Sequence, residues 1–219
     1  MACSTPYYMN WQTISSAGEY AGTFSGSAGC RSIASTTNIV AQWQLDNNTT
    51  DSSPSGTNHG TLSGGATYSN SIKKYGTHAL EFDGTDDHFD AGSSLLNSLS
   101  AFSVVGWVYV DDRPGSGQVS FWGQNDLMEM GFNNSGLSRD VCVWVNGGSE
   151  QCSSSELALD TWYQIVITMS QTNGTRLYVN GTQVANTSIS TVGRTSGYTF
   201  KIGAGVWGGG IRSQSRRLR

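Results

Sequence analysis

The chain has few charged residues, few prolines and no long apolar run. Charged residues make up 13% of its 219 residues, proline occurs 3 times, and the formal net charge is −4. This mild acidity gives no reason to expect nucleic acid or an anionic membrane as a partner. No stretch reaches the roughly 18 apolar residues that suggest a membrane span. No segment has a clear helical period either, which leaves an all-β fold as the expectation.

Glycine is abundant, and short alternating segments recur along the chain. The 28 glycines supply turns between these segments. The residues 102–110 and 161–168 have the alternation of strands, and Asn180-Gly181 is a strong hairpin dipeptide. Strands at such spacing are typical of a sandwich or jelly roll. The sequence therefore predicts one large all-β domain made of a two-sheet antiparallel β-sandwich.

The four cysteines predict a disulfide framework. Cys142 and Cys152 flank a strand and turn centred on Gly147, so a hairpin would place them opposite each other. Closing this loop stabilises a fold by roughly 3 kcal/mol in the chain-entropy model. Cys3 and Cys30 are then left to pair with each other. Two disulfides indicate an oxidising compartment, outside the cell or at its surface; the alternative is four buried free thiols. No Cys-x-x-Cys pair suggests zinc.

Seven segments resemble, in their order and spacing, the laminin-G-like domains of the concanavalin A-like lectin/glucanase superfamily. No single segment is specific, but the series runs from about residue 39 to residue 207. The resemblance implies a concanavalin A-like jelly roll and, in most such domains, a non-catalytic binding role. The segments are 43–46, 51–60, 82–87, 102–108, 162–166, 177–181 and 201–203.

The end of the chain departs from this family. Its members normally finish with a strand that pairs beside the first strand, whereas here Gly208-Gly209-Gly210 precedes a basic segment. We therefore divide the chain into an N-terminal extension (1–37), a jelly roll (38–208) and a basic tail (209–219). Since the missing strand would leave unpaired backbone groups, we expect part of residues 7–24 to fill its place.

The resemblance favours a carbohydrate ligand, a polysaccharide or glycan, for a secreted or cell-surface binding module. The same fold serves protein interaction or adhesion, so a protein partner is the alternative. A glycoside hydrolase with an unrecognised site is the further alternative. Retaining enzymes need two carboxylates roughly 5 to 5.5 Å apart. Asp126 and Glu129 come nearest, but their odd spacing places them on opposite faces of a strand, so we expect no enzyme of that type.

Sugar binding requires exposed aromatic rings beside amide and carboxylate groups. We expect the strand-centred Trp43, Trp107 and Trp162 to lie in the core. The aromatic candidates are then the tryptophans near turns or among glycines, and the polar candidates lie in the turn after the first of them. The predicted ligand-binding residues are Trp122, Asn125, Asp126, Trp144 and Trp207.

Acidic loops make a structural calcium site the candidate cofactor site. Ca²⁺ takes six to eight oxygen ligands from carboxylates, amides and backbone carbonyls. Related jelly rolls often hold such an ion between loops near the sheet edge. The alternative is that Asp83 and Asp86 simply build the turn at Gly84. The predicted ligands are Asp51, Asn58, Asp83, Asp86 and Asp87.

Overall fold

The computed structural model describes residues 39–111, 119–132, 140–148 and 150–204, and the backbone of residues 12–15. Within these ranges every regular element is a β-strand, and none of the described residues forms a helix that could cross a membrane. The strands are β1 Gln12–Ser15, β2 Ile39–Trp43, β3 Thr61–Ser63, β4 Thr67–Ser69, β5 Ala79–Glu81, β6 His88–Asp90, β7 Ala101–Val110, β8 Val119–Gln124, β9 Met128–Phe132, β10 Asp140–Val145, β11 Gln151–Glu156, β12 Thr161–Ser170, β13 Gly174–Val179, β14 Thr182–Thr187 and β15 Phe200–Ile202.

Two large antiparallel sheets form the sandwich. The six-stranded sheet has the order β14-β13-β12-β7-β1-β2, and the seven-stranded sheet has the order β11-β10-β9-β8-β15-β6-β3. A short ladder of β4 and β5 accompanies them. Non-consecutive neighbours such as β7 and β12 show that strands adjacent in sequence do not always pair. The predicted all-β fold of two antiparallel sheets is confirmed.

The core lies between the two sheets and is set by alternation along the strands. Phe102, Val104 and Val108 of β7 are buried in it, because successive side chains of a strand point to opposite faces. Trp43 of β2 lies at its centre, as predicted. The Trp43 ring meets Phe89 edge-on at 4.9 Å between centroids. Such a core leaves the opposite face of each sheet for other contacts.

The strand β1 lies between β2 and β7. Ile14 is the backbone partner of Ala41 in β2 and of Val104 in β7. We expect a part of residues 7–24 beside the first strand of the jelly roll, and β1 belongs to that range. Residues 1–11, 16–38 and 205–219 lie outside the described residues. The division of the chain, and the role of β1 as a substitute for a family strand, therefore stay predictions.

The hairpin of β10 and β11 carries the predicted Cys142–Cys152 disulfide. The two residues are directly opposite in the antiparallel register, and their sulfur atoms are bonded. This prediction is confirmed, and its reason was the spacing around the turn at Gly147. Cys3 and Cys30 lie outside the described residues, so their pairing stays a prediction.

Candidate functional site

Two of the predicted stacking tryptophans are buried, so this part of the prediction is wrong. Trp122 is 1% exposed and pairs in register with Met130 inside the core. Trp144 is 5% exposed, and its indole donates a hydrogen bond to Glu150. Neither ring offers a face to a sugar. The strands β8, β9 and β10 are buried almost throughout on both faces, so alternation could not reveal this. Trp207 lies outside the described residues.

The predicted polar ligands Asn125 and Asp126 lie in the turn between β8 and β9. Asp126 is exposed and has a φ of 66°, a left-handed conformation that Asp tolerates in turns. Its backbone carbonyl accepts a hydrogen bond from the Asn146 side chain at 2.8 Å, and Arg194 reaches the Asn146 carbonyl at 3.4 Å. These loops therefore meet at one end of the sandwich, and a ligand role for the turn stays a prediction.

The predicted calcium ligands fall into two separate loops. In the first, Asp51 Oδ1 accepts the backbone N–H groups of Gln42 at 3.0 Å and Ser53 at 2.8 Å, and Oδ2 accepts that of Asn58 at 3.0 Å. Burial raises the pKa of Asp51, but these hydrogen bonds more than offset it, and the net pKa lies below its ordinary value. The Asp51 carboxylate thus holds its own loop on β2.

The second acidic group is Asp83, Asp86 and Asp87, whose carboxylate oxygens lie within 4.8 Å of one another. Asp83 Oδ1 accepts the Thr85 N–H at 2.8 Å, and Asp87 Oδ2 accepts the Asp83 N–H at 2.7 Å. Burial, and also the charges of Asp83 and Asp86, raise the pKa of Asp87. These contacts build the turn at Gly84, which is the alternative to a calcium site. Three carboxylates also suit Ca²⁺, so calcium here stays a prediction.

Four aromatic side chains lie together on the outer face of the six-stranded sheet, which we call the aromatic platform. Its members are half-buried. The Tyr109 and Trp162 rings are 5.4 Å apart on paired strands β7 and β12, and the Tyr75 ring meets Trp107 edge-on at 5.8 Å. The expectation that Trp107 and Trp162 are core residues is therefore wrong. The aromatic platform consists of Tyr75, Trp107, Tyr109 and Trp162.

The position of each tryptophan in the alternation along its strand, odd or even, predicts that it lies on the outer face. Trp107 has the opposite parity to the buried Val104 and Val108, and Trp162 has the opposite parity to the buried Ile165 and Ile167. Alternate side chains of a strand point to opposite faces. The size of the indole rings favours a core position, but their position in the alternation determines the face of the sheet on which they lie.

Polar groups border the aromatic platform at both ends. The Tyr109 hydroxyl donates to Asp160 Oδ1 at 3.1 Å. At the other end the Lys74 ammonium lies 4.4 Å from the centroid of the Trp107 ring and 5.7 Å from that of Tyr75. The indole Nε1 of Trp107 is buried and has no hydrogen-bond partner. The arrangement thus combines flat apolar faces with a carboxylate, an ammonium and an unused donor.

A family model of the concanavalin A-like lectin/glucanases superfamily matches residues 83–213, more than half of the chain. The chain belongs to this superfamily. No curated protein matches it. The family and the fold agree with the resemblance inferred from the seven segments, and neither specifies a ligand.

Solved structures share this superfamily fold at low sequence identity. Domain 4 of AbnA, a GH43 extracellular arabinanase from Geobacillus stearothermophilus solved with arabinotriose, has a TM-score of 0.58 and 17% identity, over 78% of this chain and 85% of that chain. The binding domain of Paraclostridial Mosquitocidal Protein 1 has a TM-score of 0.57 and 14% identity, over 77% of this chain and 44% of that chain. The Botulinum neurotoxin serotype D binding domain has a TM-score of 0.53 and 14% identity, over 77% of this chain and 42% of that chain. At such identities the likeness shows the fold alone.

Proposed function

We propose that the chain is a non-catalytic carbohydrate-binding module of a secreted or cell-surface protein, and that the aromatic platform holds the sugar. The observation that carries this proposal is the half-buried cluster of four aromatic rings on the outer face of one sheet. Pyranose and furanose rings present apolar C–H faces that stack on aromatic rings, while their hydroxyls seek hydrogen bonds. Both kinds of partner border each other here.

The sheet keeps this platform rigid. Trp107 and Tyr109 are two residues apart on β7, which separates them by about 6.8 Å along the strand, and Trp162 is the register partner of Tyr109. At about 25 cal/mol per Å², covering ~60 Å² of a ring face contributes roughly 1.5 kcal/mol. Because the rings are already held in place before binding, little conformational entropy is lost when a sugar stacks on them. Two stacked sugar units therefore suffice for weak but specific binding of a polymer.

Two further observations support a secreted carbohydrate-binding module. The AbnA domain, which has the same fold, was solved in complex with arabinotriose. The Cys142–Cys152 disulfide suits an oxidising compartment. A protein-binding role is the alternative, since an exposed apolar patch also serves protein contact. Hydrolysis of a glycan is the further alternative, and one assay separates the three roles.

Affinity electrophoresis through gels that contain arabinan, xylan or β-glucan tests the proposal. We expect one polysaccharide to retard the wild-type protein. Trp162→Ala should then raise the dissociation constant about tenfold, which corresponds to the ~1.5 kcal/mol of one stacking contact. Tyr198→Ala is the matched control, because Tyr198 is 45% exposed but lies in the loop before β15, away from the aromatic platform.

Each outcome of this assay bears on one role. Uniform mobility through all gels, or equal effects of the two substitutions, would contradict the proposal and favour a protein partner. New reducing ends in the polysaccharide after incubation would show hydrolysis and would contradict the non-catalytic role. A parallel run with chelator tests the calcium prediction: loss of retardation would support a metal site at Asp83, Asp86 and Asp87.

A further inference from the structure

Lys74 differs from the other lysines of the described residues in its partners. Lys73 donates to the Asn70 carbonyl at 2.6 Å, and Lys201 pairs with Asp90 at 3.3 Å. The half-buried Lys74 ammonium has two aromatic faces as its partners, and within the described part of the chain no carboxylate pairs with it. A cation over an aromatic ring is attracted by the ring quadrupole, but its donor N–H groups keep their need for acceptors.

The Trp107 indole adds a second donor at the same place. Its Nε1 is buried and has no acceptor, and buried donors are otherwise almost always satisfied. The Trp107 ring is also the ring that Lys74 covers, at 4.4 Å. Two neighbouring donors without an acceptor, one of them charged, match a ligand group that only accepts hydrogen bonds and is negatively charged. A carboxylate or a sulfate has this chemistry.

We infer that the aromatic platform binds an acidic glycan, with the carboxylate or sulfate of one sugar unit at Lys74 and the apolar face of a neighbouring unit on Tyr109 and Trp162. This inference rests on the proposed function and specifies the ligand class for the same site. The Lys74 ammonium donates charge-assisted hydrogen bonds to the acidic unit, and Trp107 Nε1, which is buried without a ligand, donates a further one once the groups that cover it are displaced. Stacking on the two paired rings holds the next unit.

Because the chain has a net negative charge, the preference for an acidic glycan must come from the residues of the site itself. A net charge of −4 repels a polyanion at long range, so general electrostatic attraction does not explain binding. The basic tail (209–219) is positively charged and could attract a polyanion by itself, so an experiment must remove its charge. Its four arginines, replaced together by glutamine in a background variant, are Arg212, Arg216, Arg217 and Arg219.

Titration calorimetry with two pairs of polymers tests the inference in that background. Polygalacturonate and its methyl ester differ in the methyl group that removes the carboxylate charge, and dextran sulfate and dextran differ in the sulfate. We expect at least fivefold tighter binding to the charged member of one pair. The preference should weaken as salt is raised from about 0.05 to 0.5 M, because exposed charges are screened.

Lys74→Met removes the charge but keeps an apolar stem on the Trp107 ring, and Lys73→Met is the matched control. We expect Lys74→Met to abolish the preference for the charged polymer, whereas Lys73→Met should leave it within twofold of the background. Lys74→Arg should keep the preference, since the charge remains. A melting temperature for each variant shows that the fold is intact.

The outcomes separate this inference from the proposed function. Equal binding to both members of each pair, with loss in Trp162→Ala, would overturn the acidic-glycan inference and keep the carbohydrate-binding proposal. A charge preference that survives in Lys74→Met would overturn the assignment to Lys74. Absence of binding to all four polymers, and to the neutral polysaccharides above, would overturn both. A preference for dextran sulfate alone supports the inference, with sulfate as the acidic group.

Discussion

The Asp51 carboxylate holds the loop after β2, and replacing it tests how much that loop contributes to stability. In Asp51→Asn one acceptor oxygen remains for the N–H groups of Gln42 and Ser53, which both bond Oδ1 in the wild type. The new NH₂ group faces the Asn58 N–H, which bonds Oδ2 at 3.0 Å. Two donors then oppose each other in a buried site.

The expected cost follows from these contacts. An unsatisfied buried donor costs about 1–3 kcal/mol. Two further bonds change from charged to neutral acceptors and lose about half of their strength. With about 1.5 kcal/mol for the unsatisfied donor and about 0.75 kcal/mol for each weakened bond, the total is about 3 kcal/mol, which lowers the melting temperature of a domain of this size by roughly 6–12 °C. Asp126→Asn is the control, because Asp126 is exposed in a turn, and we expect it to change the melting temperature by less than 2 °C.

The pH dependence identifies the cause. The folded-state pKa of Asp51 is depressed, so its stabilisation is complete above the unfolded pKa of about 3.9 and is lost as pH falls through the folded pKa. Thermal melts by circular dichroism should therefore show the full difference between wild type and Asp51→Asn at pH 7. The difference should narrow below about pH 4. A difference that is absent at pH 7, or independent of pH, would refute the reasoning.

Three other predictions test the hairpin, the sheet and the acidic turn. Replacing Cys142 and Cys152 together by alanine should lower the free energy of unfolding by about 2.7 kcal/mol in the chain-entropy model for their separation of 10 residues. The melting temperature of the variant should then lie below that of the wild type, and the two should become equal in reductant. A difference in melting temperature that persists in reductant would mean lost packing. Ile14→Pro removes a ladder N–H of β1, and light scattering after gel filtration should show aggregation; a molar mass equal to that of the wild type would show that β1 is dispensable. Asp86→Asn should lower the pKa of Asp87, which NMR titration can follow. Because the raised pKa of Asp87 means that its ionised form destabilises the fold as pH rises, the substitution should also raise the melting temperature at pH 7 by about 1 °C. A melting temperature that falls only with calcium present would support the metal prediction instead.

The fold and the disulfide could be predicted from the sequence because both depend on local order. Alternation along β7 and the hairpin spacing of Cys142 and Cys152 are properties of short segments. The order of these segments then indicated the family. Pairing between distant strands, such as β7 with both β12 and β1, depends on the whole chain and needed the structure.

The candidate site was less predictable for two physical reasons. The strands β8, β9 and β10 are covered on both faces, so neither alternation nor a nearby turn shows that Trp122 and Trp144 are buried. Tyr75 reaches Trp107 from a loop about 30 residues earlier in the chain, and no local pattern links them. The parity of Trp107 and Trp162 was available, and it outweighs ring size as an indicator of which face a strand residue occupies.

The central claim is that sugar binds on the aromatic platform, and indole N–H resonances test it most directly. Two-dimensional ¹H–¹⁵N spectra, assigned with single Trp→Phe variants, would be recorded during titration with arabinotriose and with trigalacturonate. We expect saturable shifts of the Trp107 and Trp162 indole signals with at least one probe, and unchanged signals from the core residues Trp43 and Trp122. Shifts confined to other tryptophans, or no shift with either probe, would contradict it.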